Sequence, residues 1–582
     1  MEFFLLVKKS FKNKAEIHKH CIQFDSSYEH ISFDNWELYF GGKNLIDSKQ
    51  FVESAGHILL INGTLVYRNL GVQQSIDKIF EEFKANSLNQ ENWFGNYCVI
   101  HAANNEFRLT IDPFGIQNLY SNDNFEFYTN SFLLSALLLG HNNLRLNSLA
   151  LAENLLTGSL IGPDTIFEKI IRYEPHMDWN NDNVCVNAAE AVQYSNPLPK
   201  TQDEAINEQI EFLRDTFDSL KKFANETGID SGITSGLDSR LLLAFIKRHW
   251  DNYQLHTHYR SYESNEVNIA SLIASSANST LKIEEVVPPE LKSEDNLRST
   301  LRDAFRFTDG FVRMHGFWYE DYNTSLHRTS VLGKMKTGIS GIGGEQYRNM
   351  ELEIRGKINL KSFVRYQWIN SIARGSILSK NFEEDLVNRI SDKISAKLHL
   401  QKRKSITFSE VKRIWNEIFI PARLGGRNNA ENKLTYFISP FALSQVSVFA
   451  YRAIPFLGHA YKFQIDLLKK VSPKFAEIQS DYGFDFYKKQ PKSLFFKALY
   501  KSFIPFWFQE KIKQRKVKKK GNYTFNKILS SKPFLNEYVT KVELLDMPID
   551  WNTLKLQADL APLLINVGYW LKELEGKGNN DR

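Results

Sequence analysis

The chain contains 582 residues, of which 42% are hydrophobic and 24% are charged, and its formal net charge is +6. A chain of this length can bury two substantial hydrophobic cores, and so small a net charge points to no particular partner. The cysteines, Cys21, Cys98 and Cys185, form no disulfide framework and no Cys-x-x-Cys pair. This excludes a disulfide-rich secreted domain and favours the reducing cytoplasm. No apolar run approaches the roughly 18 residues that a membrane-spanning helix needs.

The first third of the chain alternates short apolar segments with turn signals. The apolar run Phe3–Val7 predicts a first strand, because two lysines follow it and a signal peptide would carry its charges on the other side. Short segments punctuated by Asn62-Gly63 and by Pro113-Phe114-Gly115 predict β-structure with tight turns. Cys98 lies within an apolar run, which predicts a small buried hydrophobic residue.

Segments of this first third match a known pattern in a fixed order. Ile61–Arg68 resembles the Asn-Gly-Glu-Ile-Tyr-Asn loop of class II glutamine amidotransferase domains. Gly95–Tyr97 followed by Asp112–Tyr120 resembles the strand and the hairpin of those domains, and Leu156–Phe167 resembles the segment that ends this domain in asparagine synthetase. The resemblance implies an α+β domain over residues 1–195, an antiparallel β-sandwich with flanking helices.

One departure from these amidotransferases matters more than the matches. Their nucleophile is a cysteine that becomes the N-terminal residue when Met is removed, and its own α-amino group is the base. Here Glu2 stands in that position, and Thr64 replaces the glutamate that would hold the glutamine amine. Covalent catalysis needs an activated nucleophile with its base in reach, so we expect no glutaminase activity.

The pattern changes near residue 200. The polar stretch Ser195–Lys200 is followed by Thr201-Gln202-Asp203-Glu204, a capping box that predicts a long helix through Leu220. From Gly228 onward strands alternate with helices, which predicts an α/β domain with a parallel sheet. After about residue 360 the sequence becomes largely helical. We therefore expect a second domain over residues 201–582 with a helical C-terminal extension.

The segment Gly232–Arg240 carries the strongest functional signal. It runs from a short apolar strand through a loop of small residues into an apolar helix. The free N–H groups at the start of such a helix form an anion site together with the helix dipole. Thr234, Ser235 and Ser239 add hydroxyl donors, and Asp238 adds a carboxylate suited to Mg²⁺ between phosphate oxygens. This order of residues predicts a pyrophosphate site.

The same segment resembles the Ser-Gly-Gly-x-Asp-Ser pyrophosphate loop of the ATP pyrophosphatases, and within them it looks most like the asparagine synthetase and β-lactam synthetase group. Asp238 and Ser239 match, Thr234 takes the first position, and Ser235 stands where the family usually has Gly. Downstream, Thr337–Arg348 resembles the family's second phosphate loop, Ser-Gly-Glu-Gly-Ser-Asp-Glu. Two loops that each carry one carboxylate can bracket Mg²⁺–pyrophosphate.

The resemblance implies ATP and Mg²⁺ as cofactors. Asp238 and Glu345 are then the catalytic residues and the Mg²⁺ ligands, although Glu345 replaces the usual Asp and has the alternative of an acid that merely favours a helix dipole. Arg240 and Arg348 are further phosphate candidates, with surface or helix-packing roles as the alternative. The residues expected to bind ATP and its pyrophosphate are Ile233, Thr234, Ser235, Gly236, Leu237, Ser239, Tyr259, Arg260, Ser340, Gly341 and Gly343.

Two further departures concern the substrate. Ile342 stands where the family has an acid linked to its amino-acid substrate. In a loose alignment Asp481 stands where a lysine stabilises the adenylation step, with Lys474 or Lys488 as substitutes. These changes predict that the substrate is not aspartate but a carboxylate or an amine that is apolar or bulkier at that point.

The resemblance implies an AMP- and pyrophosphate-forming amide-bond synthetase that activates a small-molecule carboxylate as an acyl-adenylate and passes it to an amine. The alternative is a non-catalytic scaffold or regulatory protein that keeps the fold. Retention of both loop acids favours the enzyme, whereas Glu2 and Asp481 favour the alternative. A thiol-transferring, tRNA-modifying pyrophosphatase is disfavoured for want of suitable cysteines.

Aromatic residues within 495–508 precede a basic cluster within 511–520. Aromatic side chains beside positive charge are compatible with contact to an anionic membrane surface. A packed helix followed by a solvated basic loop is the interpretation we prefer. Because the two residue types are segregated rather than interleaved, the region does not indicate nucleic-acid binding.

Overall fold

The computed structural model describes residues 1–12, 14–46, 48–260, 265–287, 291–310, 325–349, 356–369, 376–401, 403–488, 529–555 and 561–578, with isolated positions from 496 to 509. The basic cluster at 511–520 and most of the aromatic stretch before it lie outside the described residues. The predicted membrane contact and its alternative both remain predictions there. Among the residues that are described, no helix has the length and apolar character needed to cross a membrane.

Strands predominate in the N-terminal part and helices in the remainder. The strands are β1 (Phe3–Lys8), β2 (Glu29–Ser32), β3 (Trp36–Gly41), β4 (Phe51–Ser54), β5 (His57–Tyr67), β6 (Trp93–Ala103), β7 (Glu106–Ile111), β8 (Tyr120–Asn122), β9 (Phe127–Thr129), β10 (Ile170–Arg172), β11 (Trp179–Asn181), β12 (Val184–Ala188), β13 (Ile229–Gly232), β14 (Tyr253–Arg260), β15 (Leu281–Val286), β16 (Thr337–Ile339), β17 (Ile358–Asn359), β18 (Ser405–Ile406) and β19 (Tyr436–Ile438).

The α-helices are α1 (Lys14–Cys21), α2 (Val72–Lys84), α3 (Phe132–Leu139), α4 (Ser148–Thr157), α5 (Gln202–Ser219), α6 (Lys221–Thr227), α7 (Leu237–His249), α8 (Glu266–Ser276), α9 (Glu294–Phe307), α10 (Ser325–Leu332), α11 (Leu360–Gln367), α12 (Lys380–Lys397), α13 (Phe408–Arg413), α14 (Ile420–Asn432), α15 (Ser444–Ala450), α16 (Lys462–Val471), α17 (Pro473–Glu477), α18 (Leu535–Glu543), α19 (Trp551–Lys555) and α20 (Ala561–Gly578). A π-helical segment, Ile414–Phe419, joins α13 to α14. The largely helical character predicted after residue 360 is confirmed in the described part.

Two six-stranded sheets form the N-terminal part, in the orders β10-β8-β9-β1-β3-β2 and β11-β12-β7-β6-β5-β4. Side chains alternate between the two faces of a strand. In β1, Phe4 and Leu6 therefore share one core with Ile58 and Leu60 of the second sheet, while Leu5 belongs to a different core on the outer face. The predicted first strand is confirmed, and the two sheets pack face to face.

Helices cover both outer faces of these sheets. Ile76 and Ile79 of α2 pack against Leu59 of β5. Residues of α1, α3 and α4 pack against the outer face of the first sheet, and the same core takes in Ile390 of α12 and Val539 of α18. The C-terminal helices therefore pack against the N-terminal part and share a core with it.

The antiparallel expectation is wrong at one pairing, because β12 lies parallel to β7. The turn expected at Asn62-Gly63 is also wrong, since both residues lie inside β5 and Gly63 pairs with Tyr97. Gly63 has a φ of 90°, and a Cβ there would lie 2.4 Å from the Asn96 carbonyl oxygen. The positive φ that favours glycine here belongs to a continuous strand and not to a hairpin turn.

The other local signals behave largely as predicted. Gly115 has a φ of 66° in the Pro113–Gly115 turn, and the Asp112 carboxylate accepts hydrogen bonds from the N–H groups of Phe114, Ile116 and Gln117. The Thr201 side chain caps α5 by accepting the Glu204 N–H. The reciprocal half of the box differs, because the Glu204 carboxylate accepts from the Lys200 N–H at 2.7 Å. Cys98 is fully buried, as predicted.

A five-stranded sheet organises the second part, in the order β15-β14-β13-β16-β19. Every neighbouring pair in it is parallel, as the alternation of strands and helices predicts. Successive parallel strands need crossover connections, and α7 and α8 supply two of them. The carboxyl ends of these strands therefore meet at one edge, where their loops come together.

Candidate functional site

The strand order of the parallel sheet creates a crevice between β13 and β16. The chain leaves β13 toward β14 and β15 on one side, then returns to place β16 and β19 on the other side. In open α/β sheets such a reversal of direction marks the usual ligand site, at the carboxyl ends of the strands. The two glycine-containing loops follow β13 and β16. The topology therefore brings together two loops that lie about a hundred residues apart.

The loop after β13 is held by its own hydroxyl groups. The Thr234 and Ser239 hydroxyl oxygens lie 3.0 Å apart, and the Thr234 N–H and the Gly236 N–H donate to Ser239 Oγ and Thr234 Oγ1 respectively. Gly236 caps α7 without a side-chain hydrogen bond. Ser235 is buried. The first turn of α7 opens onto this loop, so its N–H groups are suited to hold an anion.

The loop after β16 is shaped by close backbone contacts. Gly343 has a φ of 95°, and a Cβ there would lie 2.6 Å from the Phe441 carbonyl carbon. At Gly341 a Cβ would lie 3.1 Å from the Asp238 backbone, and at Gly344 it would lie 2.3 Å from Asp238 Oδ1. Glycine is therefore required at these positions because the second loop packs directly on the first turn of α7.

The helical segment after this second loop is shorter than expected. The sequence predicts the start of a helix, but Gly344–Tyr347 forms a 3₁₀ segment of 4 residues. A segment this short has only a small dipole, so Glu345 gains little stabilisation from lying at its N-terminal end. The Glu345 carboxylate instead accepts the Gly343 N–H at 3.0 Å, while Ser340 Oγ accepts the Ile342 N–H at 3.3 Å. Glu345 is exposed, facing the open side of the crevice.

Asp238 and Glu345 meet through Arg348. One Arg348 nitrogen lies 2.6 Å from Asp238 Oδ2 and 3.4 Å from Glu345 Oε1. Asp238 Oδ1 accepts a further bond from the Gln464 amide at 2.6 Å. Burial, reinforced by the negative charge of Glu345, raises the pKa of Asp238 to about 6. Burial disfavours the Arg348 charge, but Asp238 and Glu345 outweigh it and raise the pKa of Arg348.

This arrangement fits a Mg²⁺ ion. Mg²⁺ binds through one or two carboxylates together with phosphate oxygens and water. The pKa of Asp238 is raised because its negative charge is buried and lies near that of Glu345. The positive charge of Arg348 does not fully offset these two effects. Within the described ranges no three His, Cys, Asp or Glu side chains cluster as metal ligands, so a metal here would need phosphate oxygens to complete its coordination. The ion, when bound, would neutralise charge on the phosphates.

Arg240 is not a phosphate-binding residue. Its side chain is fully buried, and its guanidinium donates to the carbonyl oxygens of Ser235, Phe475, Ile478 and Gln479. Burial lowers the pKa of Arg240 to about 10. Arg240 therefore has the packing role that was the alternative to phosphate binding. It connects the start of α7 to α17 and to the segment after it. Arg348, by contrast, lies between the two loop acids.

The other residues predicted to bind ATP include both buried and exposed side chains. The Ile233 and Leu237 side chains are buried in the core, so only their backbone groups face the loop. Tyr259, near the end of β14, is 40% exposed and is free to border a nucleotide. Arg260 ends β14, but its side chain lies outside the described residues.

Three residues of this site were missed by sequence reasoning. Gln464 of α16 bonds Asp238, the Arg348 guanidinium lies 5.9 Å from the centre of the Tyr461 ring, and Tyr482 packs on Tyr461 with ring centres 5.1 Å apart. No local motif marks these positions. They come from a segment more than 200 residues after the first loop, and only the packing of α16 on α7 brings them in.

The segment around Asp481, which the resemblance aligns with the activating lysine, packs against the start of α7. Gln479 accepts a bond from Arg240 at the start of α7, and the charge of Asp481 acts on Arg240. Lys488 forms an ion pair with Asp485 and its side chain is 83% exposed. Lys474 lies exposed on α17. Neither lysine contacts Asp238 or Glu345 in the described structure, so Arg348 is the cation at this point of the site.

A cavity of about 320 Å³ adjoins the second loop. One wall is the loop end, with Glu345, Gln346, Arg348 and Asn349, and the other wall is one face of the continuous helix from α13 to α14. The helical wall consists of residues spaced three or four apart, as one face of a helix requires. They are Phe408, Val411, Lys412, Trp415, Asn416, Phe419, Ile420, Arg423 and Leu424.

The helical wall carries a π-helical segment, Ile414–Phe419. Pro421 explains it, because proline has no N–H to donate to the carbonyl of Glu417 and its ring crowds that carbonyl. The Ile420 N–H donates instead to Trp415 one residue further back. Such segments are frequent at functional sites, and this one presents Trp415 to the cavity.

The position of the expected amidotransferase nucleophile is filled by an ion pair. The Glu2 carboxylate accepts the Gly63 N–H at 2.9 Å and lies 3.0 Å from the Lys43 ammonium. Lys43 also donates to the Asn432 carbonyl of α14 at 2.7 Å. Thr64, which replaces the expected glutamate, donates to the Asn432 side chain at 2.6 Å. These residues join the N-terminal sheets to α14.

In comparisons with known proteins, no protein-family profile matches the chain, and no curated protein matches it.

Proposed function

We propose that the protein is an ATP-dependent, AMP- and pyrophosphate-forming amide-bond synthetase of the asparagine synthetase family. The observation that carries the proposal is the meeting of Asp238 and Glu345 at the switch point of a parallel sheet, with Arg348 between them. A pair of neighbouring carboxylates beside a helix N-terminus suits Mg²⁺–pyrophosphate. An ion pair alone would not require the glycines that let the second loop pack on the first turn of α7.

The reaction divides into two displacements. A carboxylate oxygen of the substrate attacks the α-phosphorus of ATP, the bond from that phosphorus to the bridging oxygen breaks, and pyrophosphate leaves with the electron pair. An amine nitrogen then attacks the acyl carbon, the bond to the AMP oxygen breaks, and the proton of the amine passes to solvent. In the first step the N–H groups of the first turn of α7 and Arg348 stabilise the charge that develops on pyrophosphate.

One observation favours the alternative of a non-catalytic scaffold. Arg348 already forms ion pairs with both acids from within the chain, at 2.6 and 3.4 Å. In an active enzyme Arg348 would turn from the carboxylates to the phosphates when ATP binds. In a scaffold the ion pairs would stay closed and ATP would have no effect on the fold. The two candidates therefore differ in a measurable property.

The experiment is thermal denaturation with millimolar ATP and Mg²⁺. A ligand that binds only the folded state stabilises it by mass action, by about 2.7 kcal/mol at a hundredfold excess over Kd. We expect a rise in Tm that needs both ATP and Mg²⁺ and that is lost in Asp238→Asn and Glu345→Gln. Asp34→Asn, an exposed aspartate before β3, is the matched control and should keep the rise. A wild-type protein with an unchanged Tm would refute the enzyme and favour the scaffold.

The proposal includes the absence of glutaminase activity. The Glu2 carboxylate is paired and buried, and burial raises the pKa of Cys21 to about 12 and that of Cys98 well above its usual value. A thiol that stays protonated is a poor nucleophile. Purified protein should release no glutamate from glutamine, with or without ATP. Turnover that survives replacement of all three cysteines would contradict this explanation.

A further inference from the structure

The cavity beside the second loop is positioned to hold the substrate that the synthetase activates. Glu345 and Arg348 line the cavity and also belong to the phosphate site. A molecule in the cavity therefore has one end at the place where the proposed function requires the carboxylate to meet ATP. The volume, about 320 Å³, falls within the range of small-molecule pockets, roughly 300–1,000 Å³.

The charges of the lining favour an anionic end at the loop. Lys412 donates to the Arg348 backbone carbonyl, so two cationic residues, Lys412 and Arg348, stand at this end of the cavity. The carboxylate of a ligand in the cavity would interact favourably with these two positive charges.

The same lining does not suit an ammonium group. Glu345 is the one acid among the described residues that surround the cavity, and it is engaged by the Gly343 N–H and by Arg348. Ile342, where the resemblance expects an acid, is half-buried, carries no charge and does not itself line the cavity. An unpaired ammonium buried here would lose its hydration without compensation. An α-amino acid such as aspartate is therefore disfavoured.

The body of the cavity is apolar and aromatic. Trp415 and Phe419 stand edge to face with ring centres 4.1 Å apart, and the Arg423 guanidinium lies over the Phe419 ring at 3.9 Å. Phe408 and Leu424, both half-buried, continue this wall. Apolar surface of this kind is stabilised by contact with an apolar ligand.

We infer that the carboxylate substrate is a monocarboxylic acid with an aromatic or branched apolar body and no α-ammonium group. The inference rests on the proposed function, because it takes the adenylation site to be at Arg348 and the two loops. It adds the substrate class and assigns its recognition to the wall from Phe408 to Leu424. The carboxylate lies toward Arg348 and Lys412, and the apolar body lies against Trp415 and Phe419.

The test is ATP–pyrophosphate exchange, together with calorimetric titration of the acids in the presence of Mg²⁺ and a non-hydrolysable ATP analogue. The probes are 3-phenylpropanoate, 4-methylpentanoate and aspartate. We expect exchange and binding with the first two and only the no-substrate level with aspartate. Trp415→Ala should raise KM for 3-phenylpropanoate by about tenfold or more, while the Tm rise with Mg²⁺–ATP is unchanged. Trp415→Phe should recover most of the affinity.

Leu198→Ala is the matched control, since Leu198 is an apolar residue that is 59% exposed and does not line the cavity. It should behave as the wild type with all three acids. Binding of Mg²⁺–ATP without exchange or binding of either apolar acid would overturn the substrate class and leave the proposed function standing. Efficient exchange with aspartate would also overturn the substrate class. Absence of Mg²⁺–ATP binding would refute the proposed function, and the substrate inference with it.

Discussion

At the scale of single residues, the site shows that the surroundings of a side chain decide its role. Arg240 and Arg348 look equivalent in the sequence, each a few residues into a loop-to-helix segment. Arg240 turns inward and donates to four backbone carbonyls, whereas Arg348 lies between two carboxylates. Five donors in a rigid fork make both uses possible for arginine. The difference follows from which partner groups the fold delivers.

Asp238 should make the folded protein less stable at neutral pH, because its charge is buried beside that of Glu345. Its pKa rises from 3.8 to about 6 on folding, so the folded state binds more protons between these values, and stability falls as pH rises through this window. Asp238→Asn removes the free-energy cost of burying this negative charge. Because the side chain is 23% exposed, we expect a gain of about 2 kcal/mol at pH 8.

The measurement is the unfolding free energy of the wild type and of Asp238→Asn from pH 4 to pH 8 without nucleotide. The advantage of the variant should shrink toward pH 4, where the wild-type carboxyl is largely protonated in the folded state and partly protonated in the unfolded state. Asp34→Asn should show no such pH dependence. A variant that is less stable than the wild type at pH 8 would mean that the Arg348 ion pair outweighs burial.

At the scale of elements, two loops and one long helix build the site. The second loop needs glycine because its backbone passes within contact distance of Asp238 and of the 3₁₀ segment Pro440–Ala442. The helix needs Pro421, whose missing N–H opens the π-helical segment that presents Trp415.

Gly344 should be essential for the geometry of Asp238. A Cβ at Gly344 would lie 2.3 Å from Asp238 Oδ1, and Asp238 has no freedom to withdraw because Gln464 and Arg348 hold its two oxygens. Gly344→Ala should therefore abolish the Tm rise with Mg²⁺–ATP, since the carboxylate is displaced from the metal position. Thermal denaturation with and without Mg²⁺–ATP measures this.

Gly140→Ala is the matched control for this substitution. Gly140 has a φ of 71° and a ψ of 161° but open space around its missing Cβ, so the change costs only backbone strain, about 1–3 kcal/mol. The control should lower the starting Tm slightly and keep the full ligand-induced rise. If Gly344→Ala retained that rise, the close packing of the two loops would not be needed for nucleotide binding.

At the scale of the whole molecule, polar side chains join the two parts of the chain. Asn428 bonds Asn96 at 3.0 Å, Asn429 bonds the Ile116 carbonyl at 3.0 Å, and Lys43 bonds both Glu2 and Asn432. All three contacts connect the N-terminal sheets to α14, whose beginning lines the cavity. The N-terminal part therefore supports the helix that forms one wall of the cavity.

The Glu2–Lys43 pair should be a strong link in this support. Burial raises the pKa of Glu2 and lowers that of Lys43, so each charge depends on the other. Lys43→Met leaves the Glu2 carboxylate buried and unpaired, and we expect a loss of about 3–5 kcal/mol. Chemical denaturation at pH 7 measures it.

The double variant Glu2→Gln with Lys43→Met is the control for the role of charge. It removes both charges, so it should recover more than half of the stability that the single variant loses. Exposed pairs contribute little, and Lys49→Met, which removes the Lys49–Glu29 pair at 3.0 Å, should change stability by less than about 1 kcal/mol. A double variant as unstable as the single one would point to packing by Lys43, not to its charge.

Features of the fold that depend on short-range sequence patterns could be predicted from the sequence alone. The first strand, the helix that starts after Thr201, the parallel sheet after Gly228 and the two glycine loops are all encoded by periodicity and by residues with special backbone preferences. That Asp238 and Glu345 lie at one site could be predicted only from the resemblance, because each loop alone is compatible with an ordinary turn. The proposed activity stays a prediction that rests on that pairing.

Features that depend on contacts between distant segments became known only from the tertiary structure. It turned Arg240 into a packing residue, kept Asn62-Gly63 inside a strand, and laid β12 parallel to β7. It also brought Gln464 to Asp238, a residue 226 positions away. The physical reason is that a backbone preference acts within a few residues, whereas burial and charge pairing depend on partners that only the complete fold places nearby.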